Sequence, residues 1–159
     1  MSVHGSDWTS DGRLVFSDDR SGWWNLYQWL PGDDADTAVT MLDDREIGAP
    51  HWVFGTQQWT EAGDGRLYAI VTHDAVDSLA QVDSAAQNDQ NVRPIRFDAA
   101  GVNSLAPVGD DLLVVAAHPD TMPTIDVVDP DSGARRTVRP ADDLGFDAAW
   151  FSIAQPISF

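Results

Sequence analysis

Apolar residues in this chain gather in short runs, and the runs return in one order three times. "DGRL" stands at 11–14 and again at 64–67, and a looser copy, "GDDLLVV", begins at 109. Behind each copy the same events follow. A β-rich run comes first ("LVFS", "LYAIVT", "LLVVAA"), then a polar loop ("DDRSG", "HDAVD", "HPDTMP"), then a second β-rich run ("WWNLYQWL", "SLAQVD", "TIDVVD"). A turn rich in Gly, Asp or Asn comes next ("PGDDAD", "SAAQNDQN", "PDSG"), and a further run closes the unit ("TAVTML", "NVRPIRF", "ARRTVRP"). One more run precedes each turn of the "DG" type: "VHGSDW", "TQQWTEA" and "VNSLAPV". All are too short for ordinary helices and rich in Val, Ile, Leu, Tyr and Trp, which predicts strands. Four strands per unit, in units of about 40–50 residues, predict the blades of a β-propeller. The expected fold is all-β: a partial β-propeller of about three four-stranded antiparallel blades over residues 1–48, 49–98 and 99–140, then an exit segment over 141–159. "TAVTMLDDREIGAP" is the one helix-like stretch, and its β-branched content and place in the repeat assign it to strand and loop.

A meander of four strands, A to D from the axis outward, puts every A–B and C–D turn on one face of the disc. The B–C loops and D–A links lie on the other. "SDDRSGWW", "THDAVD" and "AHPDTMP" therefore share a face, where binding is expected. Trp23 and Trp24 are neighbours, so in a strand they point to opposite sides. Both sides of a blade are covered by other blades, and each indole can bury ~150–250 Å². The expectation is that both pack between blades, with Leu26 and Tyr27 continuing the pattern, rather than forming a ligand platform.

Charge narrows the function. The net charge is −17, all nine basic residues are arginine, and of the acids only Glu46 and Glu61 are not aspartate. Such a chain repels phosphate backbones and has no basic stripe, so a nucleic-acid partner is not expected. Aspartate over glutamate suits a loop-rich protein with a solvated acidic surface. No apolar run approaches the ~20 residues of a membrane span, so no membrane partner is expected. There is no cysteine and no basic start followed by an apolar stretch, which suits a cytoplasmic protein.

Little catalytic chemistry is written here. No G-x-S-x-G elbow occurs, and Ser21 in "RSGWW" lacks both that turn and a following helix. Of the four histidines, His4, His51, His73 and His118, the last two take equivalent positions at the start of B–C loops; as such they are turn residues or polar groups at a pore rim. "DPDSG" at 129–133 distantly resembles a calcium loop, but a glutamate would be needed at the twelfth position, where Pro140 stands. It is assigned to a C–D hairpin turn, and "GDG" at 63–65 to a tight A–B turn. No zinc-ligand spacing is present, and no metal or cofactor is expected.

"DWTSDGRLVFSDDRSGWWNLYQW" resembles the propeller blades of the prolyl oligopeptidase family of serine peptidases, particularly its acylaminoacyl-peptidase and dipeptidyl-aminopeptidase branches. "GAPHWVFGTQQWTEAGDGRLYAI" is similar to the next blade, and "FSIAQPISF" resembles the strand that leaves the propeller for the catalytic α/β-hydrolase domain. The family's usual proline in "S-P-D-G" is replaced by Ser10, and neither the family's remaining blades nor its hydrolase domain is found. The resemblance implies the C-terminal part of a propeller that gates short peptides toward an active site elsewhere, with that hydrolase domain as partner. On that reading Arg20 lines the passage and engages peptide carboxylate or carbonyl groups, with His73 and His118 as further gating residues. Read as a turn residue instead, Arg20 pairs with Asp18 or Asp19. Two alternatives stand beside this: a free-standing β-repeat module that assembles with its own copies, and a non-functional remnant. The expected outcome for the purified chain alone is no peptidase activity; robust serine-directed turnover would refute it.

Overall fold

The structure is a computed structural model and describes residues 2–49, 52–53, 55–85, 91–155 and 157. Three antiparallel sheets of four strands follow one another along the chain, each a simple meander. The first holds β1 (Val3–Trp8), β2 (Leu14–Asp18), β3 (Asn25–Trp29) and β4 (Thr37–Ala38). The second holds β5 (Trp59–Glu61), β6 (Leu67–His73), β7 (Val76–Val82) and β8 (Val92–Pro94). The third holds β9 (Gly101–Val108), β10 (Asp111–Ala117), β11 (Thr124–Val128) and β12 (Arg135–Arg139). This is the all-β partial propeller expected from the repeat. The described part of the tempting segment, residues 37–49, is a two-residue strand followed by loop, with no helix.

Sheet-on-sheet packing explains the composition of the strands. β6 is buried from Leu67 through Val71 without a break, because both its faces are covered. Leu67, Ala69 and Val71 join Val15, Leu26, Val39 and Ile47 of the first sheet and its outgoing loop. Tyr68 and Ile70, pointing the other way, join Val102, Leu105, Leu112 and Val114 of the third. β10 has only one covered face and alternates between half-buried and buried residues. Each sheet junction is also tied by polar bonds near the first strands. The Trp59 indole N–H donates to the Gly5 carbonyl at 2.5 Å, and the Val102 amide donates to Asp77 at 2.9 Å.

Two local expectations fail. β3 begins at Asn25, so Trp23 lies in the preceding turn and is 38% exposed rather than packed between sheets. Trp24 is half-buried, set edge-on to His4 with ring centroids 4.6 Å apart. The cause is the Gly22 turn (φ +91°) and buried Asn25. The Asn25 side chain accepts from Thr40 Oγ1 and the Leu42 amide and donates to the Leu42 carbonyl. Those bonds fix where the strand starts. "HDAVD" is not a loop either: β6 and β7 pair to His73 and Val76, around a two-residue turn with Asp74 and Ala75 at positive φ. That geometry matches the right-handed twist of a hairpin. The described part of the exit segment holds one 3-10 turn, Ala148–Trp150, and no strand.

The first sheet hands over to the second at Gly48. A Cβ there would collide with Cβ, Cγ and Cδ1 of Trp24, atoms near the root of the side chain that cannot swing aside. Gly48→Ala is therefore expected to destabilise the fold by ~1–3 kcal/mol, read as a lowered denaturant midpoint with unchanged slope.

Candidate functional site

The first strands of the three sheets converge on an open groove. One stretch, of about 430 Å³, is lined by Asp7 and Trp8 of β1, Trp59 and Glu61 of β5, and Ser104 and Leu105 of β9. A second, of about 610 Å³, continues toward the ends of the sheets that carry the B–C turns. It is lined by Gln58, Val102 and Asn103 along the first strands, Thr72 and Asp77 from the second sheet, and Glu46 from the loop between sheets. A propeller's innermost strands line its central channel, so the groove is the part of that channel which three blades enclose.

Its charge is one-sided. Among the described residues, those lining the two stretches include the carboxylates Asp7, Glu46, Glu61 and Asp77 and no arginine or histidine. Three of the four are engaged. Glu61 accepts from the Ser10 amide and hydroxyl at 2.6 and 2.9 Å. Asp77 accepts from Thr72 Oγ1 and the Val102 amide, and Asp7 from the amide of Trp8. The Glu46 backbone bridges Thr72 in an isolated antiparallel pair. Its half-buried side chain has no hydrogen bond or ion pair among the described residues.

Arg20, His73 and His118 all stand at the B–C end of their sheets, and none of them lines either stretch of the groove. Arg20 folds onto the first sheet. Its guanidinium donates to Asp18 at 2.7 Å and to Asp36 at 2.8 and 3.1 Å and lies 4.3 Å over the Tyr27 ring. The pairing with Asp18 is the turn-residue reading; Asp36, across the sheet, was not visible in the sequence. The exposed His73 imidazole is 4.0 Å from Asp44 and 3.9 Å from Asp74. His118 Nε2 is 3.3 Å from Thr124 Oγ1. Sequence reasoning looked for function in the B–C loops and missed the groove wall, where Asn103 of β9, Gln58 just before β5 and Glu46 of the loop between sheets line it. The available signal was polar residues in and beside the first runs of the second and third units, Gln58 in "TQQWTEA" and Asn103 in "VNSLAPV". His51, also named from the sequence, lies outside the described residues. Among the described residues no group of three or more His, Asp or Glu side chains is placed to hold a metal ion, and no helix is long and apolar enough to cross a membrane.

The fold and groove define three adjoining blades of a β-propeller. Among solved structures, the chain aligns with a puromycin hydrolase over 94% of its length at 24% identity and a TM-score of 0.78. It aligns with a puromycin-hydrolyzing peptidase of Mycobacterium tuberculosis over 87%, at 22% identity and 0.73, and with a prolyl endopeptidase over 91%, at 15% and 0.64. It spans only 22%, 20% and 21% of those chains. At such identities the likeness shows the fold. No family model and no curated protein matches the chain.

The Arg20 contact has a measurable consequence. Asp18 is fully buried while Arg20 is about a third exposed. The hydrogen bond from Arg20 holds the Asp18 carboxyl below the usual carboxylate range. Arg20→Ala leaves that buried carboxylate without its cation and with only the residue-20 amide donating to it, an expected loss of about 1–2 kcal/mol once solvent access to the guanidinium is discounted. The pair contributes fully above the ordinary aspartate value of about 3.9, and its contribution fades as pH falls through that value and through the lower folded one. Urea melts of both proteins across the acid range should therefore show the wild type losing stability more steeply below about pH 4 than the variant.

Proposed function

We propose that this chain is a non-catalytic propeller segment of a serine peptidase of the prolyl oligopeptidase type, and that its groove admits short peptides toward a hydrolase domain. The observation that carries the reading is the groove itself, enclosed by first strands from all three sheets and lined by polar side chains. The wording of "DGRLVFSDDRSGWWNLYQW" and the alignments with puromycin-hydrolysing enzymes support it. The chemistry is acyl transfer through a serine activated by histidine and oriented by aspartate, and residues 1–159 carry no elbow for that serine. What this segment contributes is selection. A channel narrower than a folded chain passes peptides and refuses proteins, and a lining with carboxylates and, among the described residues, no cation favours a substrate with a positively charged amino group. Arg20, His73 and His118 then stand at the B–C mouth as rim residues, and the cysteine-free sequence suits a cytoplasmic enzyme.

The test replaces the corresponding propeller segment of a puromycin hydrolase with residues 1–159. The expected chimera cleaves aminoacyl arylamides, spares folded casein-sized proteins, and prefers a free over an acetylated amino group. Glu46→Gln should narrow that preference several-fold, as expected for loss of one partly exposed ion pair. A folded chimera that cleaves neither substrate, or digests proteins as readily as peptides, sinks the proposal.

A further inference from the structure

Each sheet ends in an outer strand with a partner on one side only. Such an edge points away from the groove, so it is open whatever blades flank the three. An open edge can accept a further strand, and proteins blunt it by shortening, by proline or by charge. The first two outer strands are blunted in the first two ways. β4 is two residues long. β8 is three, and ends in Pro94, which has no N–H to donate. β12 is different. It runs for five residues, Arg135–Arg139, without a proline, and all five are exposed. No backbone hydrogen bond leaves its outer side among the described residues. A bulge at Val138, between the pairs Asp126↔Thr137 and Ile125↔Arg139, bends its end. The straight, open part of the ladder is therefore Arg135 to Thr137.

The cations of the chain are distributed around this edge. Of its nine arginines, Arg13, Arg20, Arg45, Arg66 and Arg139 each form an ion pair. The other four, Arg93, Arg96, Arg135 and Arg136, are exposed and form no ion pair or side-chain hydrogen bond among the described residues. Arg135 stands opposite Val128, which packs against the second sheet, so Arg135 takes that side of β12 and Arg136 the other. Arg96 reaches the same edge from the second sheet. At Gly133 (φ +71°), in the turn that leads into β12, a Cβ would run into the Arg96 carbonyl oxygen and lie 3.0 Å from the Arg96 Cβ. Arg93 of β8 shares a side with Ile95, which faces the third sheet. Nearby carboxylates are engaged elsewhere. Asp131 is held by Arg66 at 2.6 Å and Asp142 by Arg139 at 3.0 Å. Buried Asp126 accepts from Thr137 and Thr124 at 2.6 and 2.7 Å. Exposed Asp98 makes no ion pair with its neighbour Arg96.

We propose that the outer edge of β12 is a strand-addition site for an acidic, extended segment of another protein. Its backbone continues the third sheet, and its carboxylates meet Arg135 on one side and Arg136 on the other, with Arg96 beyond the start of the strand. Main-chain bonds supply affinity in this mode, and side chains at alternate positions supply selectivity. Guanidinium forks bind carboxylates in two-pronged fashion, and a basic segment is refused by like charge. Cations strung along a strand suit an extended ligand. A compact ion would meet one or two of them. Edge charge also deters pairing between identical edges, but a purely deterrent edge binds no peptide of either sign, which makes the two roles separable. The inference does not rest on the peptidase reading, so each can fail alone.

Fluorescence anisotropy on the intact chain tests it, with a short labelled peptide of paired glutamates separated by valines. At low salt this peptide is expected to bind at least about tenfold more tightly than its lysine counterpart. Arg135→Gln with Arg136→Gln, both exposed and unpaired, should leave the circular dichroism unchanged and weaken binding about tenfold. Methylating every second peptide nitrogen, in the phase that faces the edge, should weaken it comparably by removing backbone donors. Binding indifferent to the arginine substitutions, binding indifferent to methylation in either phase, or tripolyphosphate bound as tightly as the peptide overturns the proposal. So does self-association of the chain that the same substitutions abolish, which would give the edge to a second copy.

Discussion

Everything in this molecule depends on the second sheet being apolar on both sides. A sheet packed between two others cannot alternate hydrophobic and polar residues, since it has no solvent face to receive the polar ones. β6 answers this with an unbroken buried run, Leu67 to Val71, whose odd members meet the first sheet and whose even members meet the third. The two hydrophobic clusters on either side share no residue. Each is an independent junction, and the three sheets hold together as a chain of nearest-neighbour contacts.

That constraint is also why the architecture was legible in the sequence and some details were not. Strand positions follow from apolar runs between turn residues, and the repeat supplied the number of strands per unit. "DGRL" marked two A–B turns because an Asp-Gly pair with glycine at positive φ is local chemistry, written in adjacent residues. The tryptophan pair was misread because the start of β3 is set by a long-range bond network. Asn25 reaches Thr40 and Leu42, residues in the loop leaving the sheet, and no periodicity within 21–30 reports that. Arg20 was read half correctly for the same reason. Its partner Asp18 is two residues away, whereas Asp36 comes beside it only after the meander closes.

The acidity of the chain takes on a different aspect in three dimensions. Arginines are few, and the structure directs several of them to places where an aspartate must be held. Arg20 neutralises buried Asp18 and covers the Tyr27 ring. Arg66 bridges Asp64 and Asp131 while lying 5.7 Å over Tyr68, a buried ring whose phenol is pushed up to about 12 chiefly by its loss of solvent. Among the described residues, no arginine lines the groove beside its carboxylates.

The groove's width and the core's integrity rest on the same contacts. Trp59 is at once a member of the first junction's core, a donor to Gly5 across that junction, and part of the groove wall. Asp77 likewise lines the groove while accepting from the Val102 amide of the third sheet. A blade cannot shift relative to its neighbour without moving these residues, so any motion that widened the channel would have to loosen a hydrophobic cluster as well. Interiors packed this way resist continuous deformation. On the reading proposed above, a propeller wall of this kind would select by a fixed aperture and charge.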